Sequence, residues 1–525
     1  MSASKDYKLK DLTLVTQDGE KWDIRDLCME LNWYESIDSP FIRCDISILD
    51  AVNFDEKLRG DEYITFTLET FASKKTPIVY MMQVYKVGAI SKSERSKVYI
   101  LHCGSPELYN NEANRAFGCF GPVSGKPEVV ERMIKDYLKA PAKMKHKGAV
   151  EPYSFMNVVS PNWRPVDVIS YISDKVCRKK GGGSKGGKRN TQSGYLFFEN
   201  KFGYNFKSMD GMCEEKPYEE TFVYEQSNVM ENNPKRNAYT IENIKYPDRT
   251  NHLEKMRMGV YKTCTHGMVI PAMTEGYTSQ PALSSSGLFD EFQNNNTYNP
   301  PTNETRAKSL GLDDFDKAQS DARGSEKSFT GAGGEESFTY KPGANNTNYG
   351  RSDRQIQLAE KMQKPGGTVS GPIVTVMSEI FKKASKLEEG FPYNLEHTKE
   401  FEEYWPTRTK FKILPKYAHQ DGGSPNSGAD EAPDNVLLAA SYAAARYSLL
   451  NTMSLTITIP GNTALYAGQV IKVKLPDSRQ SSKRLPPDRT YSGKYLIKGL
   501  KHVYNKTGVT TELYLCRDSI PASYK

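Results

Sequence analysis

No apolar run in this chain approaches the roughly 20 residues that a bilayer-spanning helix requires. The opening residues, Met1-Ser-Ala-Ser-Lys-Asp-Tyr-Lys8, hold no apolar h-region, so neither a secretory signal nor a membrane anchor is expected. Charge of one sign is also scarce. The net value of +7, from 71 basic and 64 acidic residues out of 525, is far from the dense basic patch of a dedicated nucleic-acid binder. Eight cysteines (Cys28, Cys44, Cys103, Cys119, Cys177, Cys213, Cys264 and Cys516) include no Cys-x-x-Cys pair, the local spacing from which four-cysteine zinc sites are built. Buried thiols in a reducing compartment are the expectation.

Catalytic signatures are equally thin. Seven histidines (His102, His146, His252, His266, His397, His419 and His502) include no His-Glu-x-x-His, and no Gly-x-Ser-x-Gly elbow stands out. The loop Gly182-x-x-x-x-Gly187-Lys188 is nearly a phosphate-binding loop, but Arg189 stands where Ser or Thr would ligate magnesium, and Arg178-Lys-Lys180 before it is no buried strand. It reads as a flexible basic tip, with six Lys/Arg among residues 178–189 (Arg178, Lys179, Lys180, Lys185, Lys188 and Arg189), able to touch an acidic partner or nucleic acid. Cys264 and His266, two apart, would share a strand face, which suits a packed thiol better than a nucleophile–base pair; His102 and Cys103 would face opposite ways. No catalytic residue, cofactor or metal site is expected.

What is present is an echo. Leu58-Arg-Gly-Asp-Glu-Tyr-Ile-Thr-Phe-Thr-Leu68 is answered by Leu465-Tyr-Ala-Gly-Gln-Val-Ile-Lys-Val-Lys-Leu475. An offset of 407 pairs Leu58, Ile64, Phe66 and Leu68 with Leu465, Ile471, Val473 and Leu475. An offset of 413 then pairs Val84, Val87, Ile90, Ile100 and Cys103 with Ile497, Leu500, Val503, Leu513 and Cys516. Apolar positions at period two define strand faces, so the chain reads as carrying one small antiparallel β-unit twice. Gly60, Gly461, Gly468 and Gly493 stand at its turns. Duplicated units let an oligomer of low symmetry imitate a higher one, which is a mechanical role.

The pattern divides the chain into six parts. Residues 1–115 read as the first antiparallel β-unit and 116–225 as an α+β insertion. The insertion has an amphipathic helix over Glu128–Leu138, a second from Pro165 to Cys177, and a hairpin of 195–200 with 204–208. Residues 226–279 supply strands that complete the first unit or connect onward. Residues 280–370 are rich in Asn, Ser and Gly, and only eight of the 91 are Ile, Leu, Val or Met, so this segment reads as an extended arm held by something outside itself. A connector and an Ala-rich helix from Asp434 fill 371–451, and 452–525 read as the second antiparallel β-unit.

Ser39-Pro-Phe-Ile-Arg-Cys-Asp-Ile-Ser-Ile-Leu-Asp50 followed by Leu58–Phe66 resembles the opening of the baseplate central hub protein of contractile-tailed bacteriophages. Further matches come in family order: Asn162-Trp-Arg-Pro-Val-Asp-Val-Ile-Ser-Tyr-Ile172, Gly194-Tyr-Leu-Phe-Phe-Glu-Asn200, Ile459-Pro-Gly-Asn462, Ala467-Gly468, Ser492–Ile497 and Arg517-Asp518-Ser519. The resemblance spans most of 20–275 and 434–520 and leaves the Asn/Ser/Gly-rich arm uncovered. It implies a mostly β protein with an α+β insertion, two similar barrels per subunit, and a homotrimeric ring presenting six near-equivalent units. Such a ring joins a hexameric tail tube to a trimeric central spike in the virion baseplate, after assembly in the host cytoplasm. The implied partners are the chain itself, the tube and spike proteins, other baseplate proteins and, in the channel, the tape-measure protein, DNA or both in turn. The hub of a bacterial contractile injection system, a hub carrying a peptidoglycan hydrolase and a nucleic-acid-binding module remain alternatives.

Overall fold

The computed structural model describes residues 7–70, 78–92, 96–120, 129–140, 150–178, 192–224, 237–247, 434–476 and 488–518, a few single positions excepted, with the backbone of isolated short strands elsewhere. The first unit comprises β1 (Tyr7–Val15), β2 (Lys21–Asp23), β3 (Cys28–Ser36), β4 (Arg43–Asp50), β5 (Tyr63–Thr70), β6 (Ile78–Lys92) and β7 (Lys97–Gly104). Alternation decides what is buried. Ile64, Phe66 and Leu68 of β5 and Cys44, Ile46 and Ile48 of β4 point inward at a spacing of two. Trp33 anchors the interior edge-on to Phe66 at 5.6 Å and to Tyr80 at 5.0 Å between ring centroids.

The insertion follows with α1 (Glu107–Ala113), β8 (Ala116–Phe120), α2 (Val129–Arg132), β9 (Val158–Trp163), α3 (Pro165–Ser173), β10 (Tyr195–Asn200), β11 (Gly203–Ser208) and α4 (Met209–Glu214). The expected first helix exists, but α2 widens into a π-helical turn over Met133–Tyr137. α3 opens on Pro165 as expected and stops four residues short of Cys177. The chain there turns toward the segment entering β10: Arg178 N–H donates to Gln192 O at 2.7 Å and Ser193 Oγ to Val176 O at 2.7 Å. Val130, Met133, Val168, Ile169, Ile172, Tyr195 and Phe206 give the insertion its own core.

The rest of the described chain contributes β12 (Thr221–Tyr224), β13 (Thr240–Ile241), β14 (Asn243–Lys245), α5 (Asp434–Leu450), β15 (Met453–Pro460), β16 (Val470–Lys474), β17 (Gly493–Asn505) and β18 (Gly508–Arg517). One sheet of 14 strands runs β13-β12-β16-β17-β3-β4-β7-β6-β5-β1-β2, with β18 on β17, β15 on β18 and β14 on β15. The mostly antiparallel β fold with an α+β insertion is as the sequence implied. Of the residues expected to complete the first unit or connect onward, β13 and β14 lie against the second unit, pairing with β12 and β15. Two strands of two and three residues, Thr240-Ile241 and Asn243-Ile244-Lys245, with one apolar residue each, carry too little pattern to name the sheet edge they will meet. A single apolar core, from Leu12 to Leu515, underlies both units.

In the 280–370 arm the structure describes only the backbone of one hairpin, Lys327–Thr330 with Ser337–Tyr340; the remaining arm lies outside the described residues. Among the described residues, no helix is long and apolar enough to cross a membrane.

Candidate functional site: the paired β-units and their junction

The two units match strand for strand, and the match reaches the hydrogen bonds. In the first, Ile64 lies opposite Met82 and Phe66 opposite Tyr80; in the second, Ile471 lies opposite Tyr495 and Val473 opposite Gly493. Val84 N–H donates to Glu62 O at 2.8 Å, and Ile497 N–H donates to Gln469 O at 2.9 Å, the same bond under the same two offsets. Each long strand is then interrupted at the same place, between Val84 and Lys86 and between Ile497 and Gly499. Such bulges are built features that bend a strand and sharpen its twist. The correspondence extends to a fourth strand: Ile46 faces Leu101 as Ile457 faces Leu513.

One part of the expected alignment is corrected. β6 carries a second bulge, between Gly88 and Ser91 with Ala89 at φ 53°, where β17 pairs without interruption from Gly499 to Asn505. The extra residue shifts everything beyond it by one. Leu101, not Ile100, stands where Leu513 stands, and Cys103 stands where Leu515 stands rather than Cys516. Ile90 is extruded, 55% exposed, and Ser91 takes the place opposite Val98. Adjacent apolar residues conceal such a slip, because Ile100 and Leu101 both satisfy a hydrophobic template.

The units and the insertion meet on buried polar groups. Glu35, 2% exposed on β3, accepts from Trp33 Nε1 at 3.1 Å, from the Lys201 N–H at 3.0 Å and from the Ala467 N–H at 3.0 Å. One carboxylate therefore ties the first unit, the β10–β11 turn and the second unit. Glu199, fully buried on β10, accepts from the Ile42 N–H at 3.0 Å and from the Tyr80 and Ser105 hydroxyls. Burial raises both carboxyls above the ordinary range, Glu199 well above it. Burial also lowers the neighbouring Lys201 to about 8 and His502 to about 3. Thr463 N–H, in the second unit, donates to Thr70 Oγ1 in the first at 3.1 Å. α5 is fixed by Arg446, whose guanidinium meets Asp210 at 2.9 Å and Asp518 at 3.1 Å, all fully buried.

Sequence reasoning nominated none of these junction residues. A signal existed: Glu35 shares strand parity with buried Leu31 and Trp33, Glu199 with buried Tyr195 and Phe197, and His502 with buried Leu500 and Tyr504. A polar residue on an apolar face is a group that must find partners inside.

The nominated turn glycines are all placed. Gly60 (φ 94°) sits in the bend before β5, whereas Gly493 (φ 137°) is the first residue of β17, opposite Val473, rather than a turn residue. Gly461 leaves no room beyond itself, since a Cβ there would lie 2.7 Å from Val509 Cγ1, and Gly468 (φ 87°) packs against Phe198. Of the basic loop, Arg178 is internal: it bonds Glu214 at 2.7 Å and pairs with Glu151, so its charge is spent inside the insertion rather than offered to a partner. Lys179, Lys180, Lys185, Lys188 and Arg189 lie outside the described residues.

Among the described residues no cluster of His, Cys, Asp and Glu could hold a metal ion. Of the seven described cysteines six are buried free thiols, and Cys119 is exposed. Cys264 and His266 lie on the strand Lys262–Met268, whose side chains are outside the described set.

No protein-family model matches the chain, and no curated protein does. Among solved structures it is similar to the 43 kDa tail protein of prophage MuSo2 from Shewanella oneidensis, at 9% identity and a TM-score of 0.44, over 98% of this chain and 100% of that one. It is similar to a tail protein from Neisseria meningitidis at 10% identity and 0.41, over 98% and 97% of the two chains. A component of the type VI secretion system of E. coli gives 8% identity and 0.34, over 99% and 77%.

Proposed function

We propose that this chain is a non-enzymatic structural hub of a contractile tail baseplate. Three copies close into a ring that fits the hexameric tube on one face and the trimeric spike on the other. The observation that carries the reading is the doubled meander. Two units of one chain share strand order, register, a backbone hydrogen bond and a bulge, and they stand edge to edge in one sheet. A chain that holds two near-copies side by side already contains one step of a ring in which units outnumber subunits two to one. Repeating a head-to-tail step closes when the rotation divides a full turn.

The resemblance of Ser39–Asp50, Asn162–Ile172 and Ser492–Ile497 to hub proteins supports giving the ring the tube, spike and other baseplate proteins as neighbours, with the tape-measure protein, DNA or both in turn traversing the channel of the virion. The 280–370 arm would drape over adjoining subunits.

The test is the native mass of the purified chain, alone and mixed with its tube protein. A trimer, alone or on mixing, is expected, and a monomer in both conditions overturns the reading. Deletion of residues 280–370 should weaken assembly or partner binding; unchanged assembly, binding and infectivity would remove the role given to the arm.

A further inference from the structure

The two units are alike in their strands and unlike in what covers them. β17 carries β18 along one side. Along the other it takes β16 as far as Leu496 and then β3, with Gly499 opposite Ser36, Val503 opposite Asn32 and Asn505 opposite Glu30. Its counterpart β6 carries β7 along one side and β5 along the other as far as Gln83. Beyond that point, over Lys86–Lys92, no strand among the described residues pairs with the side away from β7. Exposure follows the pairing. Leu500, His502 and Tyr504 are buried, whereas Lys86 and the stretch Ala89–Lys92 are exposed.

The other half of that contact also has a counterpart. β3 lies on β4 with Leu31 opposite Ile46, and β14 lies on β15 with Ile244 opposite Ile457, so β14 is the second unit's equivalent of β3. β3 gives its remaining edge to β17. Among the described residues, no strand pairs with the remaining edge of β14. Among the described residues there is thus one satisfied edge contact, β17 on β3, and one unpaired edge of each of the same two kinds. Open edges are ready templates for strand addition.

Resting on the reading of the chain as a ring-former, we infer that the end of β6 in one copy, Ser91–Lys92, pairs antiparallel with Ile244–Lys245 of β14 in a second copy, repeating between chains the contact that β17 makes with β3 within one. The bulge at Ala89–Ile90 sets the register: Ser91 stands where Val503 does, and Lys245 where Asn32 does, so Ser91 faces Lys245 and Lys92 faces Ile244. In that register Tyr246, 52% exposed and edge-on to Tyr491 at 4.9 Å between ring centroids, would lie opposite the Ala89–Ile90 bulge. Each edge-to-edge step joins a first-unit type to a second-unit type. Alternating the in-chain and between-chain steps therefore runs head to tail round a ring and leaves neither edge uncovered.

The test is a cross-link in the full chain. Directly opposed antiparallel residues lie within the Cα range that a disulfide spans. Ser91→Cys with Lys245→Cys, in a background where exposed Cys119 is replaced by Ser, should give covalently linked chains on a non-reducing gel that neither single variant gives. A native trimer without cross-links overturns the edge pairing and leaves the trimeric reading intact; a monomer without cross-links overturns both. Amide exchange on the unaltered chain is the second measurement. In the assembly, the Ser91–Lys92 end of β6 should exchange as slowly as its counterpart Val503–Tyr504, and fast exchange there in a trimer overturns the pairing.

Discussion

The backbone N–H of Ala467 donates to Glu35 Oε2 at 3.0 Å, across 432 positions of chain. The same carboxylate holds the N–H of Lys201, so removing it strands donors from all three parts of the molecule at once. Each buried donor left without an acceptor costs about 1–3 kcal/mol. Glu35→Ala should therefore lower stability by about 3 kcal/mol or more, read as a drop in urea midpoint. Glu35→Gln keeps the volume and one acceptor oxygen and should lose about half as much. Equal, small losses for both would show that the junction is held by packing alone.

Gly468 combines a left-handed backbone (φ 87°) with a wall, since a Cβ there would lie 2.9 Å from Phe198 Cζ. Gly60 has the same kind of backbone (φ 94°) with nothing within 4 Å. Strain of that kind costs of the order of 1–3 kcal/mol, and forced overpacking about 1–3 kcal/mol besides. Gly468→Ala should thus be clearly more damaging than Gly60→Ala in a thermal melt. Shortening the wall with Phe198→Leu should narrow the gap between Gly468→Ala and its own parent. If the two alanine variants melt alike, the contact with Phe198 is not a constraint.

The doubled unit was legible because burial imposes a period of two on strands, and Ile64, Phe66, Ile471 and Val473 display it without interruption. The register beyond Val87 was not, because one extruded residue at Ala89–Ile90 leaves the hydrophobic pattern almost unchanged while moving every later partner. Helix α3 was legible at its start, where Pro165 sets the backbone, and not at its end, which is fixed by bonds from residues 192 and 193. The junction was the least visible. Strand parity with buried Leu31 and Trp33, and with buried Tyr195 and Phe197, marks Glu35 and Glu199 as facing an apolar interior, but it names none of their partners, which come from distant segments.

His502 is buried against Thr511, its Nδ1 2.9 Å from the hydroxyl, with Lys201 the charged group that opposes its protonation. Burial first, and then that charge, lower its pKa from 6.5 to about 3. Unfolded, the imidazole takes a proton near pH 6.5; folded, it stays neutral until about pH 3. Its contribution to stability is therefore complete above about 6.5 and shrinks as pH falls toward 3. His502→Gln removes that dependence. Across this window the parent should lose more stability on acidification than the variant, measured by urea midpoints at matched ionic strength. Parallel pH profiles would mean that His502 titrates alike in both states.

Arg446 joins α5 to both neighbouring elements through Asp210 and Asp518, and all three side chains are at most 1% exposed. The net worth of a buried ion pair is modest, because desolvating the charges consumes much of their attraction; breaking one is another matter, since it abandons the surviving charge inside. Arg446→Met leaves two buried carboxylates without their cation and should cost about 3–5 kcal/mol. Neutralising the survivors as well, with Asp210→Asn and Asp518→Asn, should recover a large part of that loss even though it deletes more charge. The exposed pair Arg25–Asp23, at 2.5 Å, is the control. Water screens it, so Arg25→Met should leave the urea midpoint unmoved. A triple variant no more stable than Arg446→Met alone would mean that the guanidinium acts through shape, filling the space between α4, α5 and the end of β18, rather than through charge.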